Sequence, residues 1–451
     1  MTPTTRSTGS KLLGTASARS ISLGLTAIAT VLVVRRLGPA QTGVYYVLIN
    51  IAMTATTLGH LSVMHAYVFL WGRGDNRRSL GANAVRLGLA SGSLAAIAAL
   101  IIVHLLGPQR LPVGGRYDLL NIALLAVPAS IVVIHVSALL ALGSRIGRVN
   151  VATVGGALLP FAATLVLYAT DRLTLTAGLL VWFGFSVLPA VGLVTAFPAR
   201  RRDVSRGLAL GTLKVGLQYH LAAVALFLLL RADVFILNAQ VSDADVGLYS
   251  VAVAIAELTF LFTDSLAQVV LPSQVQHSLQ KAGEYTAYIM RVSLVICVLI
   301  VLGLALGGRF VVPLIFGDAF RRSAGAILAL GPGIVAFAMI RTLGGVLIRL
   351  DRPFLISGVT TAALVANVAL NLILIPHFGI IGAGVASSLA YSGLAVFHTF
   401  WLLKATSLPG SVMVPRRSDL RRLVAAARRI IADTAARSGK GRDPSAGGHG
   451  R

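Results

Sequence analysis

Residues 292–308 read VSLVICVLIVLGLALGG, seventeen positions without a charge inside an apolar stretch over 285–308. A helix needs about 20 mostly apolar residues to cross the hydrocarbon of a bilayer, where only a helix or a closed barrel satisfies its own backbone hydrogen bonds. The stretch therefore predicts a transmembrane helix, and stretches of its kind recur along the chain. Spans are expected over 12–34, 43–69, 82–106, 117–141, 149–170, 174–197, 213–238, 246–270, 285–308, 322–348, 353–375 and 379–403. Short punctuators such as Leu37-Gly38-Pro39, Gly107-Pro108 and Ile375-Pro376-His377 read as turns between them. The expected fold class is all-α and polytopic, with about twelve transmembrane helices. Composition agrees: 56% of the 451 residues are hydrophobic, only 12% are charged, and the mean hydropathy is +0.84, outside the soluble range.

A formal net charge of +24 invites a nucleic-acid reading. Sorting the lysines and arginines by location removes it. With the N-terminus inside, the inner segments carry the larger share even when both tails are left out, which is the positive-inside pattern of a membrane protein. Both termini are then expected in the cytoplasm, the chain is expected to be multi-pass in the cell (inner) membrane, and no nucleic-acid partner is expected. The first apolar run is full length and leads into further spans, so no cleaved signal peptide is expected. The single cysteine, Cys297, lies inside a span and excludes a disulfide within the chain.

An internal repeat organises the chain. At an offset of 204 residues, Ala40, Gly43, Tyr45, Val47 and Ala52 meet Ala244, Gly247, Tyr249, Val251 and Ala256. Arg145 and Arg148 meet Arg349 and Arg352, and Gly178 meets Gly382. Six spans per half put the halves in parallel, related by an axis along the membrane normal. The expected organisation is a cytoplasmic tail (1–11), a first lobe (12–197), a basic linker (198–212), a second lobe (213–403) and a basic tail (404–451). The two lobes would surround a central cavity, a scaffold for alternating access.

Four stretches carry a family likeness: Arg36 to Tyr45 (RLGPAQTGVY), with Gly38, Pro39 and Gly43; Asp233 to Asn238 (DVFILN); Val246 to Val251 (VGLYSV), with Gly247 and Tyr249; and Asn367 to Ala383 (NVALNLILIPHFGIIGA), with Pro376, Gly379 and Gly382. They resemble the polysaccharide-transport branch of the multidrug/oligosaccharidyl-lipid/polysaccharide exporter superfamily over about residues 10 to 405. That branch includes the Wzx-type O-antigen flippases. The resemblance implies a substrate of the undecaprenyl-pyrophosphate-oligosaccharide class, moved from the inner to the outer leaflet for lipopolysaccharide or exopolysaccharide biosynthesis. The two extra helices and the early Phe-Val-Arg-Asp stretch usual in lipid II flippases are missing.

Charges within the membrane are costly and usually face protein or water. Arg19 lies about 10 Å into the first span at 1.5 Å per residue. A guanidinium forms paired bonds to phosphate oxygens, so Arg19 is a candidate for gripping the pyrophosphate; the competing reading is a side chain snorkelling along Ser17 and Ser20. Arg231 and Arg341 are further candidates, Arg231 with Asp233 also reading as a marker of the outer boundary. Glu257 and Asp264 share one face of the eighth span, with Glu257 near mid-membrane, and read either as proton- or cation-coupling groups or as salt-bridge partners of an arginine such as Arg341. Asn367 and Asn371, four apart on one face, read equally as sugar-binding or as interhelical hydrogen-bonding groups, and Asn50 leans to the latter.

His60, His65, His104, His135 and His220 show no metal-ligand spacing. No cofactor or metal is expected. The tail over about 416–437 has the pattern of a basic amphipathic helix attracted to anionic membrane lipid, with docking of glycosyltransferases as the alternative. From Ser438 onward, Gly, Ser and Pro predict disorder. An antiporter of the multidrug-and-toxin-extrusion type would share the layout, but the polysaccharide-type motifs and buried arginines favour an anionic headgroup. Short outer loops and the lack of a nucleophile constellation, P-loop or dinucleotide fingerprint count against a glycan polymerase or ligase, so the protein is expected not to be an enzyme. Partners expected from the resemblance are the lipid-linked substrate, a polysaccharide polymerase and glycosyltransferases.

Overall fold

The computed structural model describes residues 5–107, 116–197, 203–350, 352–416 and 419. Side chains within these ranges are described except at 5–13, 16, 261–262, 264–273, 275–276, 348 and 353. The expected tail helix beyond Asp419 and the segment from Ser438 lie outside the described residues.

Among the described residues, twelve α-helices follow one another: α1 (Thr5–Gly59), α2 (Val63–Gly72), α3 (Arg77–Leu106), α4 (Tyr117–Leu142), α5 (Ile146–Ala169), α6 (Leu175–Val194), α7 (Arg206–Leu229), α8 (Ala232–Gln240), α9 (Asp243–Gln276), α10 (Leu279–Phe316), α11 (Ser323–Arg349) and α12 (Pro353–Thr406). Helices and spans are not one to one. The longest two each hold a pair of spans, because α1 turns at Gly38 (φ 70°) and α12 at Gly379 (φ 55°). Both glycines occupy the left-handed region that a β-carbon disfavours. The expected loop between 34 and 43 is thus a kink of one residue. Two other spans are divided: α2 completes the second, and α7 and α8 share the seventh. The result is an all-α polytopic membrane protein of twelve spans.

Local sequence sets the helix starts. The Asn76 carboxamide accepts from the backbone N–H groups of Arg78 and Ser79 at the start of α3, Thr174 caps α6 through Ala177, and Ser205 caps α7 through Leu208. Residues 206–212 of the expected linker are therefore already helix.

The chain forms two compact units. The first comprises Met1–Ala256, Leu304–Gly333 and Arg352–Tyr391, and the second Glu257–Gly303, Ile334–Asp351 and Ser392–Arg451. In the first unit, the two sequence repeats touch at equivalent positions. A β-carbon on Gly43 would lie 2.0 Å from the Asp243 carbonyl oxygen, and one on Gly247 would lie 2.0 Å from the Pro39 carbonyl oxygen. Pro39 and Asp243, like Gly43 and Gly247, are 204 residues apart, so the contact is reciprocal about the repeat axis. Nearby, the Arg35 guanidinium donates to the Leu314 carbonyl at 3.2 Å, answering one of the unpaired carbonyls at the end of α10.

In the second unit, the Arg291 guanidinium holds the buried Asp419 carboxylate at 2.7 Å and also donates to the Val412 carbonyl. Asp419 in turn accepts from the Arg416 backbone N–H at 3.0 Å. Met413 packs onto a core of Met290, Leu343, Val346, Leu347 and Leu402. The start of the tail is therefore fastened to this unit.

Two outcomes follow from these contacts. Gly43→Val or Gly247→Val forces backbones apart and lowers stability by about 1–3 kcal/mol, the usual cost of overpacking, read as a fall in the detergent-solubilised melting temperature. Hydrogen bonding from Arg291 holds the Asp419 carboxyl below the usual carboxylate range. A depressed folded value contributes stability above the ordinary aspartate range and loses it as pH falls through the folded value. Tail docking is therefore expected to be intact at neutral pH and lost in strong acid, seen as new protease cleavage beyond Thr406; Asp419→Asn should show the same cleavage at neutral pH.

Candidate functional site

The seventh span is broken between α7 and α8. Leu229 ends the first helix, and Arg231, with φ −134°, precedes Ala232 at the start of the second. The break turns Asp233 into the core of the first unit, where it is 1% exposed. Its Oδ1 accepts from the Val234 N–H at 2.8 Å. Its Oδ2 accepts from the Tyr249 hydroxyl at 2.5 Å and from Ser387 Oγ at 3.1 Å. Tyr391 donates its hydroxyl to the Leu229 carbonyl at 3.2 Å, on the helix end that the break exposes.

The network continues along α12. Asn367 Nδ2 donates to Ser387 Oγ at 3.3 Å, and Asn371 Nδ2 donates to the backbone oxygen of Asn367 at 2.9 Å and to its Oδ1 at 3.1 Å. Tyr249, Ser387, Asn367 and Asn371 are fully buried. Among the described residues, Asn371 Oδ1 has no hydrogen-bond donor.

The turn block of the sequence explains why these side chains meet. Gly379 reverses the chain at positive φ, and a β-carbon on Gly382 would lie 2.4 Å from the Leu374 carbonyl oxygen. Only glycine lets the two arms of α12 close so tightly, and their closure sets Asn367 opposite Ser387. Pro376 lies in the arm before the reversal.

A buried ionised carboxylate is costly unless hydrogen-bonded or paired. Asp233 has two hydroxyl donors and a backbone N–H, so its carboxylate oxygens lie against the Tyr249 and Ser387 hydroxyl oxygens. Such an oxygen set suits a proton or a hard cation. Among the described residues there is no cluster of three or more His, Cys, Asp or Glu able to hold a metal ion. The 204-residue offset sharpens the point. Tyr249 has its counterpart in Tyr45, whereas Asp233, Asn367, Asn371 and Ser387 correspond to Ala29, Ala163, Leu167 and Phe183. The polar cluster belongs to the second half alone.

Arg19 is exposed on α1, and Arg231 is half-buried at the break, two residues from Asp233. Arg341 and Glu257, both half-buried, belong to the second unit. The Arg341 guanidinium lies 5.8 Å from the centre of the Phe337 ring, which packs on Phe260 with ring centres 4.4 Å apart. The side chain of Asp264 lies outside the described residues. Sequence reasoning treated Asp233 as a boundary marker and missed its role as the hub of the network. The signal that could have found it is an acid in one repeat aligned with an alanine in the other.

Residues 88–325, more than half of the chain, match the family described as polysaccharide biosynthesis protein. The chain belongs to that family. A curated relative, a probable low-salt glycan biosynthesis flippase, Agl15, of Haloferax volcanii, is 26% identical over 180 residues, covering 39% of this chain and 38% of the relative. The match thus spans well under half the length of that relative. Among solved structures, lipid II flippase MurJ in an inward closed conformation superposes with a TM-score of 0.66 at 15% identity, over 88% of each chain. An outward-facing multidrug resistance MATE family transporter of the MOP superfamily gives 0.65 at 16% identity, over 88% of this chain and 95% of the other. A MOP superfamily transporter from Pyrococcus furiosus gives 0.61 at 14% identity, over 90% of this chain and 96% of the other. At these identities the likeness is one of fold: this member of the polysaccharide biosynthesis family shares the all-α fold of these transporters.

Asp233→Ala leaves the buried Tyr249 and Ser387 hydroxyls without their acceptor. The expected loss is about 1–3 kcal/mol for each unsatisfied group, seen as a lowered unfolding temperature, with a smaller loss for Asp233→Asn, which keeps an oxygen acceptor.

Proposed function

We propose that the protein is a flippase that carries a polyprenyl-diphosphate-linked oligosaccharide from the inner to the outer leaflet during cell-surface polysaccharide biosynthesis. The observation that carries this reading is the family match over residues 88–325. The shared fold with lipid II flippase MurJ and the partial likeness to a probable glycan flippase support it.

In this reading the chain sits in the cell membrane with both termini cytoplasmic, and lobes 12–197 and 213–403 rock about a cavity that opens to each side in turn. Arg19, Arg231 and Arg341 supply positive charge for the diphosphate. The Asp233 cluster is the coupling group: it takes up a proton or a small cation in one conformation and releases it in the other. Glu257 and Asp264 are secondary candidates for the same task. The basic tail meets anionic lipid, and a polymerase and glycosyltransferases act before and after the transport step.

The second reading, a cation-coupled drug antiporter, is favoured by the MATE likeness, which is of the same order as the MurJ likeness. Deleting the gene and analysing lipid-linked intermediates together with surface glycan separates the two. Accumulated lipid-linked oligosaccharide with loss of the surface polymer is the expected result, restored by the wild-type gene and poorly restored by Arg19→Ala. Unchanged glycans with altered sensitivity to cationic drugs establish the antiporter instead. For coupling, Asp233→Asn is expected to abolish the dependence of transport on the ion or proton gradient, and a variant that keeps the wild-type dependence removes Asp233 from that role.

A further inference from the structure

The second span is interrupted at two residues that are not glycine. Leu61 and Ser62 adopt φ values of 51° and 49°, a region uncommon for side chains of any bulk. Irregular backbone at membrane depth occurs only where protein or water covers it. Helix α7 packs on this break, since a β-carbon on Gly216 would lie 2.5 Å from the Leu61 carbonyl oxygen. Three histidines complete the cover. His60, at the break itself, accepts through Nδ1 from the Ser62 N–H at 2.9 Å, and His220 Nδ1 of α7 lies 3.3 Å from Ser62 Oγ. The third, His135 of α4, is 1% exposed.

The three imidazoles differ in what their nitrogens face. His135 Nε2 lies 3.3 Å from the His60 carbonyl oxygen, and its Nδ1 lies 3.3 Å from the carbonyl oxygen of Ala84 in α3. A carbonyl only accepts, and a neutral imidazole has one N–H, so the neutral ring leaves a nitrogen lone pair turned on an oxygen. The imidazolium donates to both. His60 is placed the other way: its Nδ1 already accepts from a backbone N–H, which a proton on that nitrogen would displace. His220 faces a hydroxyl, which serves as donor or acceptor. The geometry therefore reserves the charge for His135, and a charge there disfavours a second on His60.

No carboxylate competes for the proton or fixes it. Helices α1 to α7 hold a single acid, Asp118, in the first turn of α4, about 25 Å from His135 along that helix at 1.5 Å per residue. The titratable neighbours are His60, then Tyr67 of α2, whose ring centre lies 5.8 Å from that of His135, and His220, whose ring centre lies 5.8 Å from that of His60. Arg86 of α3 is two residues from Ala84 and so on a different side of its helix. Helix α5 carries Arg148 and Tyr168 near its two ends, and α6 carries no titratable group. Burial opposes a charge on His135 and the two carbonyls favour it, so a proton can both arrive and leave.

We propose that His135 is a proton-binding site of the first half, and that its proton ties the break in the second span to α3. A proton from water adds to the free lone pair of the ring, and the imidazolium bridges the His60 and Ala84 carbonyls. Deprotonation gives up one of the two bonds and loosens the turn at Leu61 and Ser62. The site is additional to the Asp233 cluster and belongs to the first half alone, since Met339 takes the matching position 204 residues on. It does not depend on what the protein carries.

The full-length protein, isotope-labelled and in phosphatidylcholine liposomes, is followed by solid-state NMR between about pH 5 and 8, the range in which histidine charge changes. His135 is recognised by its through-space contact with the Tyr67 ring. Both ring nitrogens are expected to carry protons at the acid end and one at the basic end. Amide hydrogen exchange over 60–66, corrected for its intrinsic pH dependence, should be about tenfold slower at the acid end, as the gain of one charged hydrogen bond predicts. His135→Gln should lose that dependence, and His65→Gln, on an exposed side chain, should keep it. A ring that stays in one protonation state throughout, exchange that quickens in acid, or a pH dependence that survives in His135→Gln overturns the proposal. The ring titration is read on the wild type, so a misfolded variant does not shelter it.

Discussion

The approach of Gly43 to Gly247 is the contact on which the first unit depends. Two backbones come so close that neither position has room for a β-carbon, and each glycine faces a carbonyl of the other repeat. In hydrocarbon, helices gain little from burying apolar side chains against one another, since lipid is equally apolar. Close packing of small residues takes over that task. The duplicated glycine therefore makes a reciprocal joint between two halves that would otherwise have no specific reason to meet at that level.

Duplication also makes the specialisation of the second half visible. Both repeats keep the glycine and the tyrosine that follows it by two residues, but only the second surrounds its tyrosine with an acid, a serine and two asparagines. In the first half, the same positions are apolar, and Ala29 is simply packed away. A polar network inside a membrane protein must satisfy its own members, and this one does so almost completely, with Asn371 Oδ1 as the oxygen left over among the described residues. The breaks follow a similar logic. The interruption of the seventh span delivers Asp233 to the core, and that of the second is covered by histidines and by the bare backbone at Gly216.

Much of this was legible beforehand. The apolar runs located the spans, because spanning length is dictated by bilayer thickness, but the observed helices run on beyond them, α10 by six residues at its start and eight at its end. The repeat was legible because an ungapped duplication leaves glycines and arginines in register. Asn367 and Asn371 were identified as neighbours on one face, which helical spacing guarantees. Their meeting with Asp233 was not legible: it depends on Ser387, twenty residues further on, being folded back by the Gly379 turn, and on a helix break at Arg231 that no glycine or proline announces. The strained pair Leu61 and Ser62 was invisible for the same reason.

The sequence by itself determined the class of protein, the number of spans, the parallel pairing of halves and the family likeness, all consequences of hydropathy and local repetition along the chain. Tertiary structure alone decided which polar residues share a site. It drew Asp233, Tyr249, Ser387, Asn367 and Asn371 together from the two ends of the second half. The physical reason is that hydropathy acts residue by residue, whereas a buried hydrogen bond needs two groups brought within about 3 Å by every turn and kink between them.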